Sequence, residues 1–104
     1  MSAQLTIISW RDIPAQVTAK AGRQAVRQEL SPRFQVAIDR AAMNAGLFGT
    51  DEYLSEWRRD ACDCSDDLDA EVNATIERLE TTYSPDVLAQ LVDNGGTTHP
   101  TESQ

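Results

Sequence analysis

The sequence predicts an α+β domain: an N-terminal β-hairpin, with a third strand as an option, packed against three or four helices. Two observations carry this. Segments that alternate apolar and polar residues, QLTIISW (4–10) and AQVTAKA (15–21), flank a proline-containing connection. Downstream, apolar residues recur at helical spacing behind two Ser-Pro pairs, at 31–32 and 84–85.

In the first strand, Leu5 and Ile7 face one side and Thr6, Ile8 and Trp10 the other. Pro14 fixes its own φ and drives Ile13 toward extended geometry, so residues 11 to 14 read as the hairpin connection. Gly22 then breaks the second strand. Residues 23 to 30 read as a short helix or helical approach. Ser31-Pro32 supplies an N-cap residue and a first-turn proline. Phe34, Ala37, Ile38, Ala41 and Ala45 then form the inner face of a helix over 32–45, which Gly46 stops.

From Thr50 onward two readings compete. Tyr53, Leu54, Trp57 and Ala61 share a helical face, with Asp51 and Glu52 at the start and Arg58 and Arg59 at the end. The alternative is a third strand over 54–61, which would strengthen the hairpin. Residues 62 to 67 read as a polar break. A helix follows with the stripe Leu68, Val72, Ile76, Leu79 and Tyr83, and a short last helix from Pro85 ends at Gly95-Gly96. The expected organisation is one globular domain over 1–94 and a disordered tail over 95–104.

A chain of 104 residues holds one modest core with little space for a deep cavity. Seventeen acidic residues against nine basic give a net charge of −8. That field repels phosphate, so nucleic acid and anionic membranes are not expected partners. No membrane-length apolar run and no leader pattern stand out, and the expected location is the cytoplasm. Two cysteines only two positions apart fit a reducing compartment.

Enzymatic chemistry finds few candidates. The single histidine, His99, falls in the expected tail, where a side chain is not held at a fixed distance from a substrate. Cys62 and Cys64 are weak metal candidates. A closed zinc site takes four ligands, which only a homodimer would supply, and the neighbouring aspartates oppose thiolate formation. The acidic run DCDCSDDLDAE lacks the central glycine of a calcium loop, and no phosphate-binding glycine motif is present. No catalytic residue and no cofactor are therefore expected.

The remaining signal is SWRDIPAQV. Trp10, Arg11 and Asp12 stand at a turn, and Trp57-Arg58-Arg59 makes a second Trp-Arg cluster. One account is local: Trp10 stacks on a helix, Asp12 holds the turn and Arg11 forms a surface pair. The other is recognition, since Trp and Arg are favoured at binding hot spots. On that account Trp10, Arg11 and Trp57 anchor another protein.

Three stretches, SWRDIPAQV, ELSPRFQVAIDRAAMNAG and TDEYLSEWRR, resemble a small bacterial domain family known as virulence factor. The resemblance covers about residues 4 to 92. It rests on Trp10, Arg11, Asp12, Ile13, Pro14, Gln16, Arg33, Phe34, Gln35, Asp39, Met43, Asp51, Tyr53 and Trp57. It implies a non-enzymatic accessory or protein-interaction domain, whose candidate patch gains Arg33, Gln35, Asp39 and Tyr53. It also implies an alternative: a small auxiliary subunit of a folate- or corrinoid-dependent methyl-transfer enzyme, with Arg33, Gln35 and Asp39 meeting the carrier.

Overall fold

The computed structural model describes residues 3 to 97. The expected α+β class holds: four antiparallel strands and four helices follow in the order β1 (Ala3–Trp10), β2 (Ile13–Ala21), β3 (Gln24–Glu29), α1 (Pro32–Asn44), α2 (Asp51–Ser55), β4 (Trp57–Cys64), α3 (Leu68–Thr82) and α4 (Pro85–Asp93). The sheet order is β3-β2-β1-β4.

The hairpin is tighter than the sequence suggests. Only Arg11 and Asp12 connect its strands, and Pro14 lies inside β2. Proline is tolerated there for two reasons. Ile8 pairs with Gln16 and Ser9 with Pro14, so Ala15 is the extra residue of a bulge. On the other flank, β3 pairs with β2 only as far as Gln16.

Two further expectations are corrected. Residues 23 to 30 are not helical. Gly22, at φ 60°, turns the chain, and β3 runs back along β2 with Val26 opposite Ala19. Strand β2 thereby gains hydrogen-bond partners on both sides, a tertiary gain that outweighs the weak helical preference of QAVRQE. The helical reading of the segment after Thr50 fails beyond Ser55, and the alternative, a strand over 54–61, holds from Trp57 onward. A single turn, α2, is capped by the Thr50 hydroxyl, which accepts from Tyr53 N, and then gives way to β4. Strand β4 extends through Cys64, so the expected break at 62–67 begins only at Ser65. Trp57, expected on a helix face, is the first residue of this strand, opposite Trp10.

One face of the sheet carries Ala3, Leu5, Val17 and Ala19, all buried. Helix α3 lies along this face, against β1, β2 and β3, with Leu68, Val72, Thr75 and Leu79 buried. Helix α1 buries Phe34, Ala37, Ile38 and Ala41, as its spacing predicts, and packs against α4 and β2. Ser31 does not cap α1 with its side chain. Its N–H and hydroxyl both donate to the Glu80 carboxylate, at 2.7 and 2.9 Å, which ties the start of α1 to α3.

The second sheet face is covered only near one end. Gln4, Lys20, Ala25, Arg27, Arg59, Ala61 and Asp63 are exposed on it, and Thr6, Ile8, Gln16 and Thr18 are half-buried. No helix among the described residues is long and apolar enough to cross a membrane. Gly95 and Gly96, assigned to the start of the tail by sequence, are buried. His99 and the rest of that tail, 98–104, lie outside the described residues.

Candidate functional site

Trp10 is fully buried, so it does not offer its ring to a partner as the recognition account would have it. It points to the face opposite Leu5, as alternation requires, but at the end of the sheet where other elements cover it. Its ring lies 5.6 Å from that of Tyr53, and its Nε1–H donates to the Tyr53 carbonyl at 2.8 Å. A buried indole N–H without an acceptor would cost about 1–3 kcal/mol, so this bond is part of what makes the burial tolerable. Gly96 closes the other side. A Cβ built there would stand 2.7 Å from Trp10 Cζ3.

Arg11 adopts φ 53°, a left-handed conformation that costs a non-glycine residue about 1–2 kcal/mol. Its surroundings hold it there. Its backbone N–H donates to the Glu56 carbonyl at 3.1 Å, its Nε to the Glu56 carboxylate at 3.2 Å and its Nη1 to the Gly95 carbonyl at 2.9 Å. The guanidinium carbon lies 5.1 Å from the centre of the Trp10 ring. The Asp12 N–H donates to the Gly96 carbonyl at 2.8 Å, and its carboxylate pairs with Arg58 at 3.2 Å. The Trp-Arg-Asp turn therefore joins three parts of the chain: the end of β1, the α2–β4 joint and the turn after α4. The local account of this stretch is the one the geometry supports.

The structure brings the two Trp-Arg clusters together. Trp10 and Trp57 are directly opposite across β1 and β4, and the Tyr53 and Trp57 rings meet edge to face at 6.3 Å. Burial, and then the charge of Asp39, push the Tyr53 phenol above its ordinary pKa, so it stays neutral at physiological pH. Arg33 is drawn inward. It pairs with Glu80 at 3.1 Å, donates to the carbonyls of Glu80 and Tyr83, and stacks over Phe34. Gln35 and Asp39 are joined to each other at 3.0 Å on the surface of α1.

Of the expected site residues, Gln35 and Trp57 line a common cleft. It measures about 480 Å³ and is bounded also by Ile8, Ala15, Gln16, Glu29, Leu30 and Pro32. Ile8 and Gln16 are shared with a second, shallower trough of about 490 Å³ across the open sheet face, which carries Lys20, Arg27 and Arg59 and no acidic residue. Sequence reasoning missed these three cations and Ile8 as a group because they come from four different strands. The usable signal was the period-2 placement of Lys20 and Arg27 on the polar side of β2 and β3, which a helical reading of 23–30 hides.

Cys62 is exposed and Cys64 half-exposed; both are free thiols. Burial, followed by the charges of Glu71, Cys62, Asp63 and Asp66, raises the Cys64 pKa, which keeps the thiol protonated. Among the described residues, no group of three or more His, Cys, Asp or Glu side chains is placed to hold a metal ion.

A family model described as "Virulence factor" matches residues 8 to 92, and the chain belongs to that family. No curated protein and no solved structure matches it.

Proposed function

We propose that this member of the virulence factor family is a non-enzymatic protein-interaction domain, and that its partner occupies the cleft between α1 and the open sheet face. The observation that carries this reading is the continuity of the two depressions through Ile8 and Gln16. The cleft offers apolar walls, two side-chain amides and the Glu29 carboxylate; the adjoining trough offers cations in a chain of net charge −8. An extended partner segment with an apolar residue followed by acidic ones matches that sequence of surfaces. Trp57 and Gln35 would line the apolar end, with Lys20 and Arg27 at the charged end. Arg11, Asp12 and Trp10 act behind them by fixing the end of the sheet on which Trp57 stands.

The test is capture from native lysate with the full chain and two variants. Gln35→Trp fills the cleft from an exposed helical position, and Lys20→Glu/Arg27→Glu reverses the trough. A specific partner retained by wild type and lost by both variants supports the reading. A partner that binds all three chains equally overturns it.

The family's second reading, a small auxiliary subunit for folate- or corrinoid-dependent methyl transfer, draws support from the same cleft. An aromatic edge and two amides beside a cationic trough suit a flat amide-bearing ring with a carboxylate tail. Titration with a reduced folate, followed by quenching of Trp57 fluorescence, separates the two readings. Quenching that Gln35→Trp abolishes favours the folate reading, and an unchanged spectrum at millimolar folate removes it.

A further inference from the structure

We infer that β4 is a self-pairing edge: two copies of this chain join antiparallel along it, about a two-fold axis through Ala61, to form one continuous eight-stranded sheet. The inference does not depend on the cleft reading above. Strand β4 is the last in the order β3-β2-β1-β4, so among the described residues one side of its backbone faces no other strand. Every residue from Arg58 to Asp63 is exposed. Such an edge carries a row of unpaired N–H and C=O groups and is the natural template for another strand.

Symmetry and charge then select the register. A two-fold axis perpendicular to a continuous sheet keeps each side chain on its own face, so the axis must pass through a residue, not between two. An axis through Asp60 opposes that aspartate to its own copy, and one through Arg59 does the same with an arginine. An axis through Cys62 sets Asp63 against Ala61 and shortens the ladder to residues 60–64. The axis through Ala61 pairs residues 58–64 entirely within β4. It sets Arg59 opposite Asp63 twice on the open face, with the small Ala61 against itself between them. On the other face Arg58 meets Cys64 and Asp60 meets Cys62, so no like charges are opposed. Among the described residues, no ion pair within the chain involves Arg59 or Asp63.

Charged edge strands often serve to prevent pairing. Here the order of signs, read backwards against itself, is complementary. The opposite edge, β3, lacks this property over a useful length. Its register through Val26 opposes Ala25 to Arg27 and joins no opposite charges within the strand, because Arg23, which would meet Glu29, lies in the turn before it. The register through Gln28 sets Arg27 against Glu29, but the chain turns inward at Leu30, which is buried and hydrogen bonded to Ala15.

The experiment is sedimentation of the full chain over a concentration series, with charge-swap variants and site-directed cross-linking. Wild type is expected to dimerise. Arg59→Asp should weaken the dimer about tenfold, because two attractive pairs become repulsive. Arg59→Asp/Asp63→Arg should restore it. In a Cys62→Ser/Cys64→Ser background, Ala61→Cys should be joined to its copy by a short thiol–thiol linker, because on-axis Cβ atoms in such a pair stand about 5 Å apart. Circular dichroism confirms that each variant is folded. A chain that remains monomeric to about 1 mM overturns the inference. So does a dimer indifferent to both swaps, or one that cross-links through Gln28→Cys in the same background and not through Ala61→Cys.

Discussion

The two ends of the sheet are built differently. At one end, Trp10, Arg11 and Asp12 are bonded to Tyr53, Glu56, Arg58, Gly95 and Gly96, and a large aromatic side chain is fully enclosed. At the other, where β4 leaves the sheet, the Ser65 N–H donates to the Glu71 carboxylate at 2.9 Å in an exposed setting. The same strand, β1, runs from one environment to the other. The comparison teaches that the conspicuous residues of SWRDIPAQV hold the frame, while the surface left open, on which the proposed recognition rests, is made of plainer residues.

Trp10→Ala tests the sealed end most directly. Removal of a fully buried indole should cost about 3–5 kcal/mol in urea unfolding. A loss below about 1 kcal/mol would mean that Trp10 is not the centre of this seal. Gly96→Ala should cost about 2 kcal/mol, because the new methyl meets the Trp10 ring and φ is 100°. Gly22→Ala, at φ 60° with nothing within 4 Å, isolates the backbone contribution and should cost about 1 kcal/mol. If the two glycines cost the same, the contact with Trp10 contributes nothing.

Arg11→Ala should destabilise by about 1–2 kcal/mol, since the Gly95 carbonyl and Glu56 carboxylate both lose a donor. Arg58→Ala, which breaks the half-exposed pair with Asp12, should cost under about 1 kcal/mol. The smallest effect is at the loose end. Hydrogen bonds from Ser65 lower the Glu71 pKa. A lowered folded-state pKa gives stability that is present above the ordinary glutamate value of about 4.3 and is lost as pH falls through the folded value. Glu71→Gln should flatten that acid limb of the stability curve and leave stability near neutral pH almost unchanged.

The fold was legible wherever pattern and burial agree. The apolar stripes of α1 and α3 and both Ser-Pro helix starts are local signals, and each produced a helix within a residue of its expected bounds. Strand β3 was not legible, because QAVRQE has no strong alternation and owes its conformation to the exposed flank of β2. Nor was the site. Trp10 was readable as the end of a strand, but its burial depends on Gly96, a residue whose sequence context signals only a helix stop. Gln35 and Trp57 were picked out through the family resemblance and through aromatic content, and the structure sets both on one cleft. The cations beside them belong to separate strands and become a group only once strand order is known.

The Arg11 side chain reaches a carbonyl 84 positions downstream, and the Asp12 N–H binds the next residue after it. A ribosome makes Trp10 long before it makes those partners. Until they emerge, the indole of Trp10 lacks that lid, although its own hairpin needs nothing beyond residue 21 to form. Closure of this end therefore comes late in the folding of this domain. Any chain cut short before Gly96 would leave the cell holding a nearly complete sheet with an uncovered tryptophan, which is the kind of surface that chaperones and proteases inspect.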